Sequence, residues 1–508
     1  MIETSEYNRI RKDVIMDQFP LDFLWGGASA ANQYEGGFNL GNKSLTIADV
    51  MSGGSHSKNR KIAWIIPETN ESNIYEMEFG KDISFPINAI PYVKEDWYYP
   101  SHQATDFYHH YKEDIQLMAE MGFKCFRLSI AWSRIYPDLI SDEPNYEGLK
   151  FYDSIFDECI KYHIEPLVTL SHFDIPLELF NKYNGWNNRK TIDLFAKYTK
   201  TVLTYYKDKV KCWLTFNEIN MMEHMQIMTI GTKEMSPQIM ANCAYHQFLA
   251  SALTVKLAHE INPNNKIGMM LAYNPIYSET CDPNDQLLTL TMRKNHFLWY
   301  SDVQMLGKYP NYKLIEYERN HIKLDIKEND LELLEKYTCD FLGFSCYGSG
   351  VQGTHIDGIQ TYGNGQIGRI NPYLDTNAWG WTIDPNCLRM ASNELYELYR
   401  KPLFVVENGL GWNDQLINHK IHDDYRINYL KLHIKSMKDA INIDGIPIMG
   451  YTMWSGVDIV SAGTGEMRKR YGFVYVDMND EGKGTLKRYK KDSFYYYQNV
   501  IKTNGEVI

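Results

Sequence analysis

The sequence lacks the features that mark secreted, membrane-spanning and disulfide-built proteins. No apolar run approaches the roughly 18 residues of a membrane span. The first 20 residues contain neither an apolar core nor a cleavage site, so we expect no signal peptide. The eight cysteines form no Cys-x-x-Cys pair, which in a chain of 508 residues favours buried thiols over disulfides or zinc sites. We therefore expect a cytoplasmic protein that does not associate with a membrane.

Motifs for cofactors and metals are also missing. The chain has no His-Glu-x-x-His sequence. A Gly-x-Gly-x-x-Gly pattern at Gly363, Gly365 and Gly368 lies between polar stretches rather than between a strand and a helix, so we expect a loop there. Neither a cofactor nor a metal is expected. The net charge of −12 repels phosphate backbones, so nucleic acid is not an expected partner.

The chain does contain a regular alternation of short apolar runs and helical stretches. Continuous apolar runs are typical of strands buried on both faces of a parallel sheet. Helices are predicted between them at 147–164 and 425–441, the first with an apolar face of Leu149, Tyr152, Ile155, Phe156, Cys159 and Ile160. Eight such runs begin at Phe23, Phe123, Glu165, Lys211, Asn265, Thr338, Pro402 and Ile446.

Strands that alternate with helices in this number predict an α/β fold, the (β/α)₈ TIM barrel. A doubly wound open sheet is the alternative. No linker or repeat divides the sequence, so we expect a single catalytic domain over residues 1–508. Residues 51–100 and 348–378, after the first and sixth strands, are expected to form long βα loops that border the active site.

The predicted strands end in polar side chains, at the edge of the barrel where active sites lie. An acidic residue that closes a buried strand is costly unless it is paired or used, and for one such glutamate a buried ion pair is the ordinary explanation. Two on separate strands, ringed by polar and aromatic residues, favour chemistry instead. The strand-end residues are Gln33, Glu35, His172, Asp174, Asn217, Glu218, Tyr347, Glu407, Asn408 and Trp454.

Two facing carboxylates are the groups that hydrolyse glycosides. One stays protonated and donates to the leaving oxygen, while the other stays ionised and attacks the anomeric carbon. Asn217, beside Glu218, can bond a sugar hydroxyl without adding charge. Arg127, in the second strand, can hold the other carboxylate ionised, and a structural ion pair inside the barrel is an equally compatible role for it.

Several segments resemble glycoside hydrolase family 1. Its two catalytic signatures are similar to Thr215-Phe216-Asn217-Glu218 and Val406-Glu407-Asn408-Gly409, and further matches include FLWGGASAANQYEGG, FRLSIAWSRIYP, Trp379-Gly380-Trp381 and KRYGFVYVD. The resemblance covers about Phe19 to about Val500. It implies a (β/α)₈ barrel and a retaining double displacement without a cofactor, with Glu218 as acid/base and Glu407 as nucleophile. It further implies that Tyr347 bonds the nucleophile and that substrate is bound by Gln33, His172, Asn217, Trp381 and Trp454.

An informative departure from the family follows the eighth strand. β-Glucosidases of the family carry Glu-Trp seven residues beyond the tryptophan that matches Trp454, where this chain has Ser461 and Ala462. Loss of a carboxylate removes repulsion against an anion. With Arg468-Lys469-Arg470-Tyr471 just beyond, the pattern resembles the 6-phospho-β-glycosidase branch. In that branch a serine, a lysine and a tyrosine bind the 6-phosphate, which implies Ser461, Lys469 and Tyr471 here.

Three details separate this chain from members of that branch. The glucosidases usually read Ser-Ala-Ser where this chain has Ser461-Ala462-Gly463, so the backbone N–H of Gly463, or Thr464, is a candidate to replace the lost hydroxyl. Ala462 stands where phospho-β-galactosidases have tryptophan, which favours glucose over galactose. The sixth strand ends Ser345-Cys346-Tyr347, where many relatives read Asn-Tyr-Tyr.

The sequence thus predicts a retaining 6-phospho-β-glucosidase. Its substrates would be phosphorylated cellobiose or aryl β-glucosides, supplied by a sugar phosphotransferase import system and cleaved to glucose 6-phosphate and an aglycone. A homo-oligomer is compatible with this prediction. The alternatives are a β-glucosidase or β-galactosidase that acts on unphosphorylated or galacto-configured substrates, and a non-catalytic sugar-binding barrel.

Overall fold

The protein is built around a closed barrel of eight parallel strands. The computed structural model describes residues 18–78, 80–355, 358–360 and 366–508, so Gly363 and Gly365 of the glycine pattern lie outside the described residues. Each predicted apolar run contains one barrel strand, which confirms the (β/α)₈ barrel and excludes the open sheet. In chain order, β1–β8 are Leu24–Ala28, Cys125–Ser129, Glu165–Ser171, Cys212–Phe216, Lys266–Ala272, Phe341–Ser345, Leu403–Asn408 and Ile448–Trp454.

The barrel closes where β1 pairs with β8 on one side and with β2 on the other. Its interior is packed with apolar side chains rather than open. Because the opposite faces of the same strands are covered by helices, the strand sequences are predominantly apolar. The interior cluster, contributed by β2 to β7, consists of Cys125, Leu167, Cys212, Leu214, Met270, Phe341, Phe404 and Val406.

One principal helix follows each strand. The two predicted helices are confirmed as Tyr146–Lys161 and Asp424–Asn442. In the first, Ile160 is 43% exposed, so the buried face is narrower than predicted. The principal helices α1–α8 are Phe107–Met121, Tyr146–Lys161, Lys190–Tyr205, Pro237–Ile261, Trp299–Leu306, Cys387–Tyr399, Asp424–Asn442 and Asp492–Lys502.

Shorter elements fill the connections between these strands and helices. The short α-helices are Ala31–Tyr34, Pro100–Gln103, Trp132–Ile135, Leu177–Tyr183, Gln226–Thr229, Pro283–Arg293, Asn311–Arg319 and Asp330–Lys336. The 3₁₀ turns are Ala48–Val50, Gly185–Asn187 and Ile219–Glu223, and Lys294–Leu298 is a π-helix. Two small two-stranded sheets pair Ile276–Ser278 with Gly350–Gln352 and Val474–Val476 with Arg488–Lys490.

The long βα loop predicted over residues 51–100 contains a three-stranded antiparallel sheet. Lys61–Ile66 pairs with Glu71–Glu76 and with Ile90–Tyr92. The hairpin turns at Asn70, whose φ of +56° is a left-handed conformation that asparagine tolerates well. The predicted loop over 348–378 contains Gly350–Gln352, and its residues 356–357 and 361–365 lie outside the described ranges.

The cysteines are thiols, as predicted: all eight are free, seven are buried and Cys281 is exposed. Among the described residues, no helix combines the length and the apolar character that a membrane crossing requires. The single-domain boundary at 1–508 stays a prediction.

Candidate active site

The polar residues at the carboxyl ends of the strands converge on one end of the barrel. Gln33 follows β1, His172 follows β3, Glu218 follows β4, Glu407 closes β7 and Trp454 closes β8. All five side chains are buried. Buried polar groups are retained only when they are hydrogen-bonded or used, so this end of the barrel is the candidate active site.

Arg127 of β2 joins the two sequence signatures. Its fully buried guanidinium forms an ion pair with Glu407 Oε1 and donates a 2.6 Å hydrogen bond to Asn217 Oδ1. The hydroxyl of Tyr347 donates to the other Glu407 oxygen at 2.9 Å. Burial raises the pKa of Glu407 above its ordinary value, while Arg127 and Tyr347 counteract part of that rise. A carboxylate held at both oxygens in this way has a fixed orientation.

Gly409, in the second signature, has to be a glycine because the ends of β7 and β8 approach each other closely there. A Cβ atom on Gly409 would lie 2.2 Å from the carbonyl oxygen of Trp454, closer than any side chain allows. The end of β7 therefore sits directly against the end of β8. This contact places Glu407 beside Trp454 and the segment that follows it.

Glu218 has an unusual backbone conformation. Its φ of +39° and ψ of 60° lie in the left-handed region, which costs a residue with a side chain of order 1–3 kcal/mol. Such strain is common where a side chain has to be aimed at a functional position. The Ser345 hydroxyl at the end of β6 donates to Glu218 Oε1 at 2.5 Å. Ser345, where many family members have asparagine, therefore contacts the carboxyl group of Glu218 directly.

Three further residues implied by the resemblance line the same end. Gln33 donates through its amide nitrogen to the carbonyl oxygen of Val460 at 2.7 Å. The ring of His172 stacks on Trp454, with centroids 5.8 Å apart and planes inclined by 24°. Burial, and then the charge of Arg127, lowers the pKa of His172 well below its ordinary value, so the imidazole is neutral. Its Nδ1 is buried and has no hydrogen-bond partner among the described residues.

Lys469 is a buried cation surrounded by aromatic rings. Its Nζ lies 3.9 Å from the ring centroid of Trp381, 5.4 Å from that of Trp379 and 5.7 Å from that of Tyr471. Within the described ranges, nothing accepts a hydrogen bond from this ammonium or forms an ion pair with it. Burial lowers the pKa of Lys469 to about 7, although the negative charge of Glu466 opposes that shift. The three rings stabilise the charge only partially.

The segment after β8, which precedes this lysine in the chain, forms a tight turn. The N–H of Ser461 donates to the carbonyl of Glu466 at 2.9 Å, and the N–H of Gly465 donates to the carbonyl of Ser461 at 2.8 Å. The amides of Ala462, Gly463 and Thr464, between these bonds, have no acceptor in the part of the chain that the structure describes. Successive unsatisfied N–H groups in a turn form a concave site for anions.

The cationic run divides among three environments. Arg468 is half exposed and bonds Glu466 at 2.6 Å. Arg470 is buried and pairs with Asp458 at 3.1 Å. Lys469, between them, lies buried under the aromatic rings. Gly411 leaves room for it, because a Cβ there would lie 3.0 Å from Lys469 Cγ.

An aromatic contact connects Lys469 to the surroundings of Glu407. The rings of Trp381 and Tyr347 meet edge to face, with centroids 5.6 Å apart and an interplanar angle of 73°. Trp381 thus contacts Lys469 on one side and the hydroxyl-bearing ring that bonds Glu407 on the other. The rings of Trp381 and Tyr347 therefore form one continuous surface between Lys469 and Glu407.

Other strand-end residues have roles in the scaffold. Glu35 bonds Arg134 at 3.1 Å and Tyr152 at 2.5 Å. Asn408 donates to the carbonyl of Cys346 and to the hydroxyl of Tyr429. Asp174 accepts from the backbone of His172 at 3.3 Å, and burial raises its pKa to about 7. The sequence alone did not separate these residues from those of the site.

One group of side chains outside the site has metal-ligating atoms close together. Atoms of Glu223, His224 and His296 lie within 4.8 Å of one another. Both carboxylate oxygens of Glu223 are already engaged, one with His296 at 2.7 Å and the other with Tyr300 at 2.8 Å. This arrangement is a hydrogen-bonded cluster that supports the turn after Glu218.

Sequence reasoning did not single out two charged residues near the turn. Arg60 donates to the carbonyl of Ala462 across 402 positions of the chain. Glu466 is fully buried beside Lys469. A lone arginine in a segment interpreted as a loop carries no sequence signal, whereas a glutamate inside the Ser461–Tyr471 segment could have been flagged by its position.

Comparison with known proteins assigns the family. The family model described as glycosyl hydrolase family 1 matches residues 15–85 and 80–506. The chain is 45% identical to the aryl-phospho-beta-D-glucosidase BglA of Bacillus subtilis (strain 168), covering 97% of this chain and 100% of that protein. It is 46% identical to the 6-phospho-beta-glucosidase AscB of Escherichia coli (strain K12), covering 97% and 99%.

Solved structures agree with the sequence comparison. The family 1 β-glucosidase from Thermotoga maritima superimposes with a TM-score of 0.77 at 27% identity, covering 97% of this chain and 100% of that one. The β-glucosidase from Exiguobacterium antarcticum B7 gives a TM-score of 0.76 at 25% identity. With its barrel and the matched family model, this chain belongs to glycosyl hydrolase family 1.

Proposed function

We propose that this protein hydrolyses 6-phospho-β-D-glucosides with retention, releasing glucose 6-phosphate and an aglycone. Glu218 acts as the acid/base and Glu407 as the nucleophile. The names of the two relatives compared above support the phosphorylated substrate. Two observations in the structure carry the proposal. The ammonium of Lys469 is buried and has no ion-pair partner among the described residues. The amides of Ala462, Gly463 and Thr464, a few positions earlier in the chain, have no acceptor in that same part of the protein.

Charge complementarity favours a phosphorylated sugar over a plain one. A buried ammonium without a counter-ion is costly, and a neutral sugar offers no charge to offset it. A dianionic 6-phosphate brings that charge and acceptor oxygens for the amides of Ala462, Gly463 and Thr464. Ser461 and Tyr471 add hydroxyl donors. An unphosphorylated substrate would leave all of these groups unsatisfied.

The first chemical step forms a covalent intermediate. A carboxylate oxygen of Glu407 attacks the anomeric carbon, the bond to the glycosidic oxygen breaks, and Glu218 delivers its proton to the departing oxygen. Arg127 and Tyr347 keep Glu407 ionised and oriented before the attack. Asn217, which Arg127 holds in place, bonds a ring hydroxyl of the sugar.

The second step reverses the roles of the carboxyl groups. Water attacks the anomeric carbon, gives its proton to Glu218, and the bond to Glu407 breaks. Two inversions at one carbon amount to retention. Gln33, neutral His172 and Trp454 hold the remaining hydroxyls, while Trp381 and Tyr347 form the wall of the pocket.

The charge of the substrate also bears on location. A sugar phosphate does not diffuse through a bilayer, so the enzyme has to meet it in the compartment where the phosphate is added. We propose the cytoplasm, with a sugar phosphotransferase import system as the supplier. No metal or cofactor enters either chemical step.

Glu407→Gly is expected to abolish turnover of phosphorylated aryl glucosides. Added azide fits the space of the lost carboxylate and attacks the same face of the sugar. The product is then an α-glycosyl azide, which NMR identifies by its anomeric coupling. Normal turnover by this variant would contradict the nucleophile assignment.

Glu218→Gln is expected to slow substrates with poor leaving groups by about 10²–10⁴-fold, because they need the proton. A dinitrophenyl 6-phosphoglucoside should lose far less in the glycosylation step, since its leaving group departs as an anion. Pre-steady-state measurement of both substrates tests this. Glu332→Gln, which makes the same change at an exposed helix position outside the site, is the control. Equal losses for both substrates would rule out the acid role.

Lys469→Met is expected to raise KM for a phosphorylated aryl glucoside by about tenfold to a hundredfold, the value of a charged hydrogen bond. Activity on the matching plain glucoside should change little, because that substrate has no phosphate to lose. The ratio of kcat/KM for the two substrates is the quantity to compare. Lys483→Met, which removes an exposed cation, is the control. An unchanged ratio would contradict the phosphate role.

The preference for phosphorylated substrate is expected to fall as pH rises above about 7. The ammonium of Lys469 is protonated below its pKa of about 7 and neutral above it. Only the protonated form attracts the dianion, so the ratio of kcat/KM values should drop by up to tenfold per pH unit from pH 7 to 9. Lys469→Arg, which stays charged, should abolish this alkaline decline. A decline that persists in Lys469→Arg would contradict the assignment.

A further inference from the structure

Arg60 directly precedes the strand Lys61–Ile66 of the three-stranded sheet and contacts the turn after β8. Its side chain is buried, and its guanidinium donates to three backbone carbonyls. Nε bonds Ser52 at 2.9 Å and Nη2 bonds Met51 at 3.0 Å. Nη1 bonds Ala462 at 2.8 Å. One cation thereby fastens the segment after β1 to the turn after β8.

This cation has only neutral acceptors. In the described ranges of the chain, no carboxylate pairs with Arg60, and burial lowers its pKa to about 10. Carbonyl oxygens satisfy its N–H groups but do not balance its charge. A buried cation in this state is stabilised by any anion that binds nearby. The nearest candidate position for one is the turn whose carbonyl it holds.

Through the geometry of the peptide unit, the bond from Arg60 to the Ala462 carbonyl also fixes the direction of the next N–H group. The bond between Ala462 and Gly463 is trans, since the structure has its one cis bond among the described residues at Trp454-Ser455. In a trans peptide the C=O and N–H groups point in opposite directions. With the Ala462 carbonyl directed at Arg60, the N–H of Gly463 is directed away from it. That N–H is one of the three unsatisfied amides.

A second bond from the same segment supports the turn. The N–H of Gly54 donates to the carbonyl of Thr464 at 2.9 Å. The residues between Ser52 and Arg60 thus hold the turn at two carbonyls, and its amides are left to face elsewhere. Space is tight here, because a Cβ on Gly465 would lie only 2.9 Å from Pro100 Cγ, with Gly53 Cα and Arg60 Nε in ordinary contact at 3.5 and 3.6 Å.

We propose that Arg60 is a positioning residue of the phosphate subsite. It holds the Ala462 carbonyl so that the Gly463 N–H is aimed at the 6-phosphate, and its positive charge is offset by the bound dianion. This inference rests on the proposed function. The inference explains how the backbone N–H of Gly463 can replace the serine hydroxyl of related enzymes. A backbone N–H can bind the phosphate only if its peptide plane is held in the right orientation.

The test compares Arg60→Met with Arg60→Lys and with Lys58→Met, which removes an exposed cation from the same segment. Both kcat and KM are measured for 4-nitrophenyl β-glucoside with and without the 6-phosphate. Arg60→Met is expected to raise KM for the phosphorylated substrate by about tenfold to a hundredfold, with kcat changed by less than about threefold. Arg60→Lys, which keeps the charge but cannot hold three carbonyls, should recover part of this loss. Lys58→Met should match wild type.

A purely structural role predicts a different pattern. Both substrates would then lose activity in the same proportion, or kcat would fall with KM unchanged, and either result would overturn the inference. The inhibition constants of glucose 6-phosphate and glucose give a second measure: Arg60→Met should weaken only the phosphorylated sugar. If Arg60→Met does not fold, the same comparison on Arg60→Lys decides, and equal weakening of both sugars rejects the inference.

The proposed function can fail separately. A wild-type enzyme without preference for the phosphorylated substrate would contradict the function itself. A wild type that prefers the phosphorylated substrate, together with an Arg60→Met variant that keeps the full preference, would contradict only the role of Arg60.

Discussion

The buried guanidinium of Arg127 is the interaction on which the rest of the site depends. It extends from β2 across the barrel and contacts Thr169 of β3, Asn217 directly after β4 and Glu407 of β7. A charge at this depth is tolerable only because Glu407 pairs with it, and the pairing fixes both groups. The same charge helps to keep His172 neutral. One cation therefore influences the protonation and orientation of groups on several strands.

The opposite end of the site is organised around Lys469, a buried cation to which the described residues offer no ion-pair partner. Lys469 is surrounded by aromatic rings, and Trp381 and Tyr347 carry the contact from this lysine to Glu407. The site thus contains one buried cation that is paired with a carboxylate, and one buried cation for which the described residues supply no such partner. Such a difference is what a substrate with a neutral reacting centre and a charged distant group requires.

A buried network of ion pairs holds the segment that carries Lys469. Lys491 bonds Asp414 at 2.5 Å and Asp458 at 2.7 Å, and Arg470 also pairs with Asp458. These groups are buried, so removal of one partner would leave another charge uncompensated. The network holds Arg470, the neighbour of Lys469 in the chain, and does not contact the Lys469 ammonium. A lysine can then remain unpaired in the substrate-free protein, because its position does not depend on a partner of its own.

The sequence by itself determined the barrel and the positions of the two glutamates. Apolar runs of strand length recur with helices between them, and polar residues at the ends of parallel strands have to meet at one edge. Tertiary structure alone decided which environment each of several similar residues occupies. Arg468, Lys469 and Arg470 are adjacent in the chain, yet one is half exposed, one is buried without a partner and one is buried in an ion pair. Successive side chains point in different directions, and their partners come from distant segments. Arg60 meets Ala462 across 402 positions, and a contact of that range leaves no periodicity or local motif in the sequence.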